Sequence, residues 1–586
     1  MPDCLYIGID FGTTFSGVAW AFSRQPDNIK IVTKWRAKGA FNADDAKTPT
    51  EIVYALSGRN RMVRNWGYEI EANQTPLKWF KLCLEDENQL PQDVQKSDQL
   101  AAARKMLVEK SISAVDAAAD YLRELWKATI ASLERELGSP AVDGLPFRVV
   151  VTVPAMWSDG AKNRTLRAAE QAGIKENRLC GRTTLDLIPE PEAAALATLA
   201  KFRGRPDISP NDIITVCDCG GGTVDITSYK IQNPDPVVVK ESVGGDGKMC
   251  GGIFVDEEFR DFVRGRVKNR WDKLSPEMIR KIMNEEWENG IKRTFEDDGR
   301  EFRVTLPAEA TQSLFHRSKT STLPLTGKTV QTLFDPVLGQ IRSLVLKQIG
   351  DIKKKEGKPP KCIMLVGGFG RCSYLYTALT KILGTQGIAV LQAAGEEPWT
   401  AICRGAVIRA MSTQGYAGAG GVTITTRVSK RNYGLAFYEP FRTYQHLPED
   451  REWIASEGDY FANNQIRWYL RKGVDIATQN PVVMSFYRLC QSSQEIQNNQ
   501  VTAKIFISEV EGAPNRKTRD VTELCEIKVK LDTPYHLLPR HTNNVGKECR
   551  RISYDIEVIC SGGLLKFAAI MNGVRQPAQN VEASFM

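Results

Sequence analysis

Two short segments of this sequence carry residue types suited to holding phosphate. Ile7-Gly8-Ile9-Asp10-Phe11-Gly12-Thr13-Thr14 and Val216-Cys217-Asp218-Cys219-Gly220-Gly221-Gly222-Thr223 share one form: hydrophobic strand, aspartate, glycine turn, threonine. Glycine lets the backbone bend so that N–H groups approach an anion closely. The hydroxyls of Thr13, Thr14 and Thr223 can donate to phosphate oxygens. An aspartate closing each strand offers oxygen to Mg²⁺, usually through water. Either turn alone is equally well explained as a tight hairpin. Two of them, one early and one mid-chain, can hold a polyphosphate between two lobes. Glu190, between Pro189 and Pro191, stands at a helix start, where the helix dipole favours a carboxylate. Its plain reading is a helix-terminal acid. Cys217 and Cys219 share the strand face opposite Asp218 and read as small core residues rather than metal ligands.

The elements that must position these residues follow from periodicity. Alternating runs give strands near 5–9, 18–22 and 29–32, a buried strand over 148–153 stopped by Pro154, and a hairpin from 213–217 to 224–231. Apolar residues at helical spacing predict one long helix from Asp98 to Leu137, ended by Gly138-Ser139-Pro140. Further helices are expected over 159–172, 254–270, 276–296, 334–350, 373–383 and 398–411, with a strand over 362–366 running into Gly367-Gly368. Strands alternating with helices indicate α/β architecture. The segment 414–421 turns glycine-rich and reads as a linker. It opens onto a strand, Val422 to Ser429, so it does not fit a dinucleotide-binding turn, which needs a helix next. Beyond it strands and turns dominate, the pattern of a β-sandwich.

The chain has 586 residues, and at a soft prior of about 150 per domain this suggests about four domains or lobes. Hydrophobic residues at 42% and charged residues at 25% are ordinary for a folded protein and exclude a disordered or fibrous chain. The net charge of +8 is small and not gathered into a patch, which argues against a nucleic-acid partner. No stretch is long and apolar enough for a bilayer, so no membrane partner is expected. The N-terminus lacks the features of a secretory signal, and the 13 cysteines are therefore expected as reduced thiols in the cytoplasm or nucleus.

The two loop segments resemble the phosphate motifs of the actin, sugar kinase and 70-kDa heat-shock chaperone superfamily. Three more segments narrow the resemblance to the heat-shock chaperones. These are 149–174 (VVVTVPAMWSDGAKNRTLRAAEQAGI), 188–199 (IPEPEAAALATL) and 365–379 (LVGGFGRCSYLYTAL). The resemblance implies a two-lobed actin-like ATPase, built from duplicated ribonuclease-H-like domains, over 1–413, its second lobe starting near 213. A small, mainly β domain without a helical lid would follow over 422–586. The implied cofactors are ATP or ADP with Mg. Asp10 and Asp218 would hold the metal's water shell, and Glu190 and Thr223 would help place the attacking water. Gly12, Thr13, Thr14, Gly220, Gly221 and Gly222 would line the phosphates. Gly367, Gly368, Gly370 and Arg371 match the adenosine loop, and Gly251, Gly252, Lys292 and Arg293 the adenine-clamping helix. The implied partners are a protein or peptide client and a nucleotide-exchange partner.

The family also carries a lysine near the γ-phosphate. Aligning from Gly67 puts Glu71 there, with Lys78 and Lys81 farther along, which would reverse a charge beside the transferring group. Beyond the linker, Tyr433-Gly434-Leu435, 468–473, 484–487 and 554–563 resemble strands of the chaperone's peptide-binding sandwich. The whole looks like the divergent, lidless "protein 12" branch with many fungal relatives. Two functions follow as expectations: a chaperone-like protein that hydrolyses ATP slowly to control a client, or a nucleotide-gated scaffold with little or no hydrolysis.

Overall fold

In a computed structural model, the chain is described over residues 3–585, apart from 38–43, 56–61, 179, 311–319, 413–420, 456, 478–480, 497–499, 532, 544, 562–563, 572 and 577–580. It divides into two compact units, Met1–Thr423 and Ile424–Met586. Apart from Gly421, the expected linker lies outside the described residues.

The first unit contains the same sheet twice. In the first copy the strand order is Thr184–Pro189, Phe147–Val153, Leu5–Asp10, Phe15–Phe22, Lys30–Ile31. In the second it is Ala389–Gln392, Cys362–Val366, Ile213–Cys219, Val224–Pro234, Val237–Lys248, with Val422–Ile424 added at the outer edge. Each copy is centred on a strand paired antiparallel to the next in sequence and parallel to a later one. Both central strands are buried along their whole length, as strands covered on two faces must be. In register, Asp10 opposes Gly17 and Asp218 opposes Asp225. The two loops of the sequence repeat are thus equivalent hairpins of duplicated lobes, the actin-like architecture that the resemblance implies.

Crossed helices tie the lobes together. Glu190–Leu199 leaves the last strand of the first lobe and packs on Ile213–Cys219 and Val224–Pro234 of the second. Glu397–Ser412 leaves the second lobe and packs on Leu5–Asp10, Phe15–Phe22 and Phe147–Val153 of the first. The two helices also pack on each other, so closely that a Cβ at Gly405 would stand 1.7 Å from the carbonyl oxygen of Ala193. Glycine there is a condition of the crossing.

Some expected elements differ, two of them by being split. The helix predicted from Asp98 to Leu137 is two helices, Asp98–Glu109 and Ala114–Leu137. Ser111 adopts φ of 52°, and Ser113 and Asp116 form a reciprocal capping box that starts the second helix. Hydrophobic spacing alone does not see a stop whose polar cap lies within an otherwise continuous periodic run. The strand expected over 422–429 is also two, Val422–Ile424 and Thr426–Val428, the latter paired with Asp475–Ala477.

The second unit stacks two antiparallel sheets. One runs Arg451–Ile454, Asp459–Leu470, Asn432–Pro440, Gln500–Ser508, Thr522–Lys530, Val581–Phe585. The other is built on Val482–Cys490, Glu548–Ser561 and Leu564–Met571. Leu435, Ile505 and Ile527 of the first sheet share one buried core with Met484, Ile556 and Ala569 of the second. Alternation buries one face of each sheet, and the result is a sandwich.

Candidate functional site

The two hairpins face one another across the first unit. Built at Gly221, a Cβ would lie 2.3 Å from the Thr14 hydroxyl, and at Gly222 it would lie 2.8 Å from that of Thr13. Only glycine lets the loops approach this far. The turn of the second loop closes with the Gly220 N–H donating to the Thr223 carbonyl at 2.9 Å. Its three glycine carbonyls are taken up elsewhere. Gly251, Gly252 and Ile253, where the helix Gly252–Val267 begins, donate N–H groups to Gly222, Gly220 and Gly221 at 3.2, 3.1 and 2.9 Å. None of these bonds uses the N–H groups of Gly221 or Gly222, which stay available to an anion. Gly251 and Gly252, sequence candidates for an adenine site, thus brace the glycine turn of the second hairpin.

Carboxylates gather beside the hairpins. Asp10, Glu190 and Asp218 are all buried, and so is Asp225, the register partner of Asp218. Asp225 Oδ1 accepts the Ala155 N–H at 3.2 Å, a bond from the strand–proline segment of the first lobe to the second. Asp10 Oδ1 accepts from the Thr152 hydroxyl at 3.4 Å. Asp218 is 2% exposed, and its Oδ1 has no hydrogen-bond partner among the described residues. A buried carboxylate oxygen with nothing to accept is costly unless a ligand completes it. Burial, reinforced by Glu190, Asp225 and Asp10, holds the Asp218 carboxyl well above the usual range, against the opposing pull of Lys47.

Two buried lysines balance the cluster. Lys81 is 2% exposed and donates to Glu190 Oε1 at 2.6 Å, its ammonium lying near the rings of Phe11 and Trp157. Burial pushes the Glu190 carboxyl up to about 7; Lys81 works against the rise, and Asp10 and Asp225 add to it. The buried cation beside Glu190 is therefore Lys81, and the assignment of that position to Glu71 is overturned. Glu71 is exposed, and its carbonyl accepts from Arg280 at 3.0 Å. The alignment slips because the chain makes a short turn over Gly67–Glu69 and then loops, with Trp79 at φ of 59°, before Lys81 turns inward. Lys47, the second buried lysine, donates to Asp10 Oδ2 at 2.5 Å.

The remaining expected site residues lie on the second lobe. Gly367 adopts φ of 84°, and a Cβ there would stand 2.3 Å from Asp218 Oδ1, so the turn requires glycine on both counts. Gly370 is buried, and Gly368 lies against the ring of Trp399. The Arg371 guanidinium stands 5.8 Å from the same ring and 3.8 Å from Glu396. Lys292 is buried, and its ammonium lies 2.7 Å from both Asp256 and Glu288. Burial alone would lower the Lys292 pKa, but the two carboxylates outweigh it and raise it. Arg293 is half exposed, with its Nε 3.8 Å from Glu288. Gly12, Thr13, Thr14, Thr223 and the three glycines of the second loop thus converge with Asp10, Glu190 and Asp218. Lys292 is instead committed to an ion cluster of its own.

Sequence reasoning missed Lys47, Asp225, Thr152 and Trp399, and named Lys81 only as lying beyond the expected position. Asp225 had a signal, since Asp218 and Asp225 bracket the glycine turn symmetrically. The others are brought in by distant segments with no local mark.

Comparison with known proteins agrees with this arrangement. The family model described as "Hsp70 protein" matches residues 6–425. Human heat shock 70 kDa protein 12A is 24% identical over 523 residues, covering 76% of this chain and 73% of the relative. Human heat shock 70 kDa protein 12B is 24% identical over 524 residues, with 76% and 72% covered. The chaperone protein DnaK of Thermosipho africanus is 25% identical over 426 residues, 71% of this chain and 60% of that protein. Since the match runs through both hairpins, the Pro189-Glu190-Pro191 helix start and the Gly367 turn, the chain belongs to the Hsp70 family.

Proposed function

We propose that the first unit binds ATP or ADP with Mg²⁺ between the two hairpins and hydrolyses ATP slowly, and that the nucleotide state sets the hold of the second unit on a protein or peptide client. The observation that carries this reading is the pair of facing hairpins, Thr13 and Thr14 of the first against the second, which bears both the free N–H groups of Gly221 and Gly222 and the uncompleted Asp218 Oδ1. Free amide donors suit phosphate oxygens, and an oxygen lacking a donor suits a hydrated cation. Among the described residues no three metal-ligating side chains converge on one point, which suits an ion that brings its own water and the phosphates as ligands. When bound, Mg²⁺ would neutralise charge on the phosphate chain, with Asp10 and Asp218 holding its water.

The chain's own residues supply the rest. Lys81 neutralises Glu190 and would stabilise charge growing on the transferred group. Glu190, ionised above pH about 7, would accept a hydrogen bond from the attacking water and fix its direction, and the Thr223 hydroxyl at the close of the second loop would be a further partner for that water. Arg371 and Trp399, beside Gly368, would flank the adenosine.

Client binding is supported by the sandwich, where the edge strand Arg451–Ile454 carries the half-exposed Trp453 next to Tyr460. An edge strand can add an extended peptide through main-chain hydrogen bonds. An exchange partner acting on the first unit in the cytoplasm or nucleus completes the reading. No helix among the described residues is long and apolar enough to cross a membrane. A second reading, a nucleotide-gated scaffold with little hydrolysis, draws support from Lys47, whose ammonium already occupies Asp10. Single-turnover hydrolysis of ATP by the purified chain, beside Asp10→Asn and Asp218→Asn, separates the two. Measurable turnover abolished by either change supports the first, tight nucleotide binding without turnover supports the second, and no nucleotide binding rejects both.

A further inference from the structure

The cleft holds a cation of its own. Lys47 Nζ lies 2.5 Å from Asp10 Oδ2 and 4.8 Å from the centre of the Trp399 ring, and its side chain is only 6% exposed. Its position is built rather than incidental. Thr48–Pro49, immediately after it, pairs with Phe15–Phe22, matching Ser16 with Thr48 and Phe15 with Pro49, and so fixes the backbone next to Lys47. The lysine stem then crosses Gly17, the register partner of Asp10. A Cβ at Gly17 would meet Lys47 Cγ at 2.8 Å, so the glycine opens the track along which the stem reaches the carboxylate. Trp399 covers the ammonium from the other side and is itself packed on Phe15, with ring centres 5.3 Å apart.

This placement matters for charge. Four buried carboxylates, Asp10, Glu190, Asp218 and Asp225, lie together beside the hairpins, and each repels phosphate when ionised. Lys81 is committed to Glu190, and Lys47 is the other buried ammonium beside the cluster. Resting on the nucleotide reading above, we propose that Lys47 is a resident cation of the phosphate site. It contacts the phosphate chain and competes with the divalent ion for Asp10, so nucleotide binds with little dependence on divalent metal. A charge-assisted contact of this kind corresponds to about a tenfold effect on affinity or more.

The test is the affinity of the full chain for a fluorescent ADP analogue, in excess Mg²⁺ and in EDTA, for wild type, Lys47→Met and Lys47→Arg. Wild type should bind in both conditions with affinities within about tenfold. Lys47→Met should lose about tenfold or more in EDTA, yet need less Mg²⁺ for half-maximal binding, because nothing then competes for Asp10. Lys47→Arg should keep binding in EDTA. A general folding defect would weaken both conditions alike and could not lower the Mg²⁺ requirement. A Mg²⁺-to-EDTA affinity ratio equal in wild type and Lys47→Met would overturn the inference and leave the nucleotide reading intact. No binding by wild type in either condition would overturn both.

Discussion

Lys81 Nζ and Glu190 Oε1 stand 2.6 Å apart in the centre of the first unit, both side chains shielded from water. The pair joins the loop after Trp79 to the helix that crosses from the first lobe to the second. Removing one member leaves the other as an uncompensated buried charge, which typically costs about 3–5 kcal/mol. Lys81→Ala should therefore lower the denaturant midpoint and reduce single-turnover hydrolysis by about a hundredfold or more. Lys81→Met with Glu190→Gln should recover much of the stability and none of the turnover. That contrast separates the structural part of the pair from the chemical one.

Hydrolysis should rise with pH through about 7, because burial raises the Glu190 carboxyl to that value and only its ionised form can accept from the attacking water. Glu190→Gln should remove this limb as well as most of the rate. The same shift acts on stability with the opposite slope. Between the ordinary value of 4.5 and about 7, the folded chain holds a proton that the unfolded chain has released. The contribution of Glu190 is thus fully present below 4.5 and is lost as pH rises through about 7. Denaturant midpoints of wild type and Glu190→Gln across that window give the comparison.

Mg-ATP should raise the melting temperature, since a ligand binding only the folded state at a hundredfold excess over Kd stabilises it by about 2.7 kcal/mol. Gly221→Ala should abolish the shift, because its Cβ would meet the Thr14 hydroxyl at 2.3 Å and push the hairpins apart. Asp218→Asn should reduce the Mg²⁺-dependent part of the shift and raise the melting temperature without ligand, since it relieves a carboxylate crowded by three others. An unchanged melting temperature in wild type would remove the nucleotide from the proposed function.

Glu71→Lys should leave hydrolysis within about twofold of wild type, because an exposed side chain outside the buried cluster contributes little to it. A large gain in rate would restore Glu71 to the site.

Peptide binding by the second unit should weaken when Trp453 is changed to Ala, at a stability cost of about 1 kcal/mol from the lost ring contact with Tyr460. Binding to peptide arrays and the dissociation rate with and without ATP are the measurements. Unaltered peptide affinity in Trp453→Ala would move the client site away from the Arg451–Ile454 edge.

The sequence by itself determined the parts of this protein that short-range physics controls. Leu5–Asp10 and Ile213–Cys219 are legible because a hydrophobic strand, an aspartate and a glycine turn lie within a few residues of one another, and a hairpin closes locally. The later sandwich followed from the run of strand and turn signals, and the duplicated lobes from the repeated loop together with the resemblance to the heat-shock chaperones. What the sequence did not expose was the charge balance of the cleft. Lys81 meets Glu190 across 109 residues, and Lys47 meets Asp10 across 37. A lysine carries no local signature of being buried, since its ordinary place is the surface. Only the tertiary structure decided between Glu71 and Lys81. A side chain becomes a counterion by the carboxylate it reaches after the sheets have stacked, and spacing along the chain does not encode that distance.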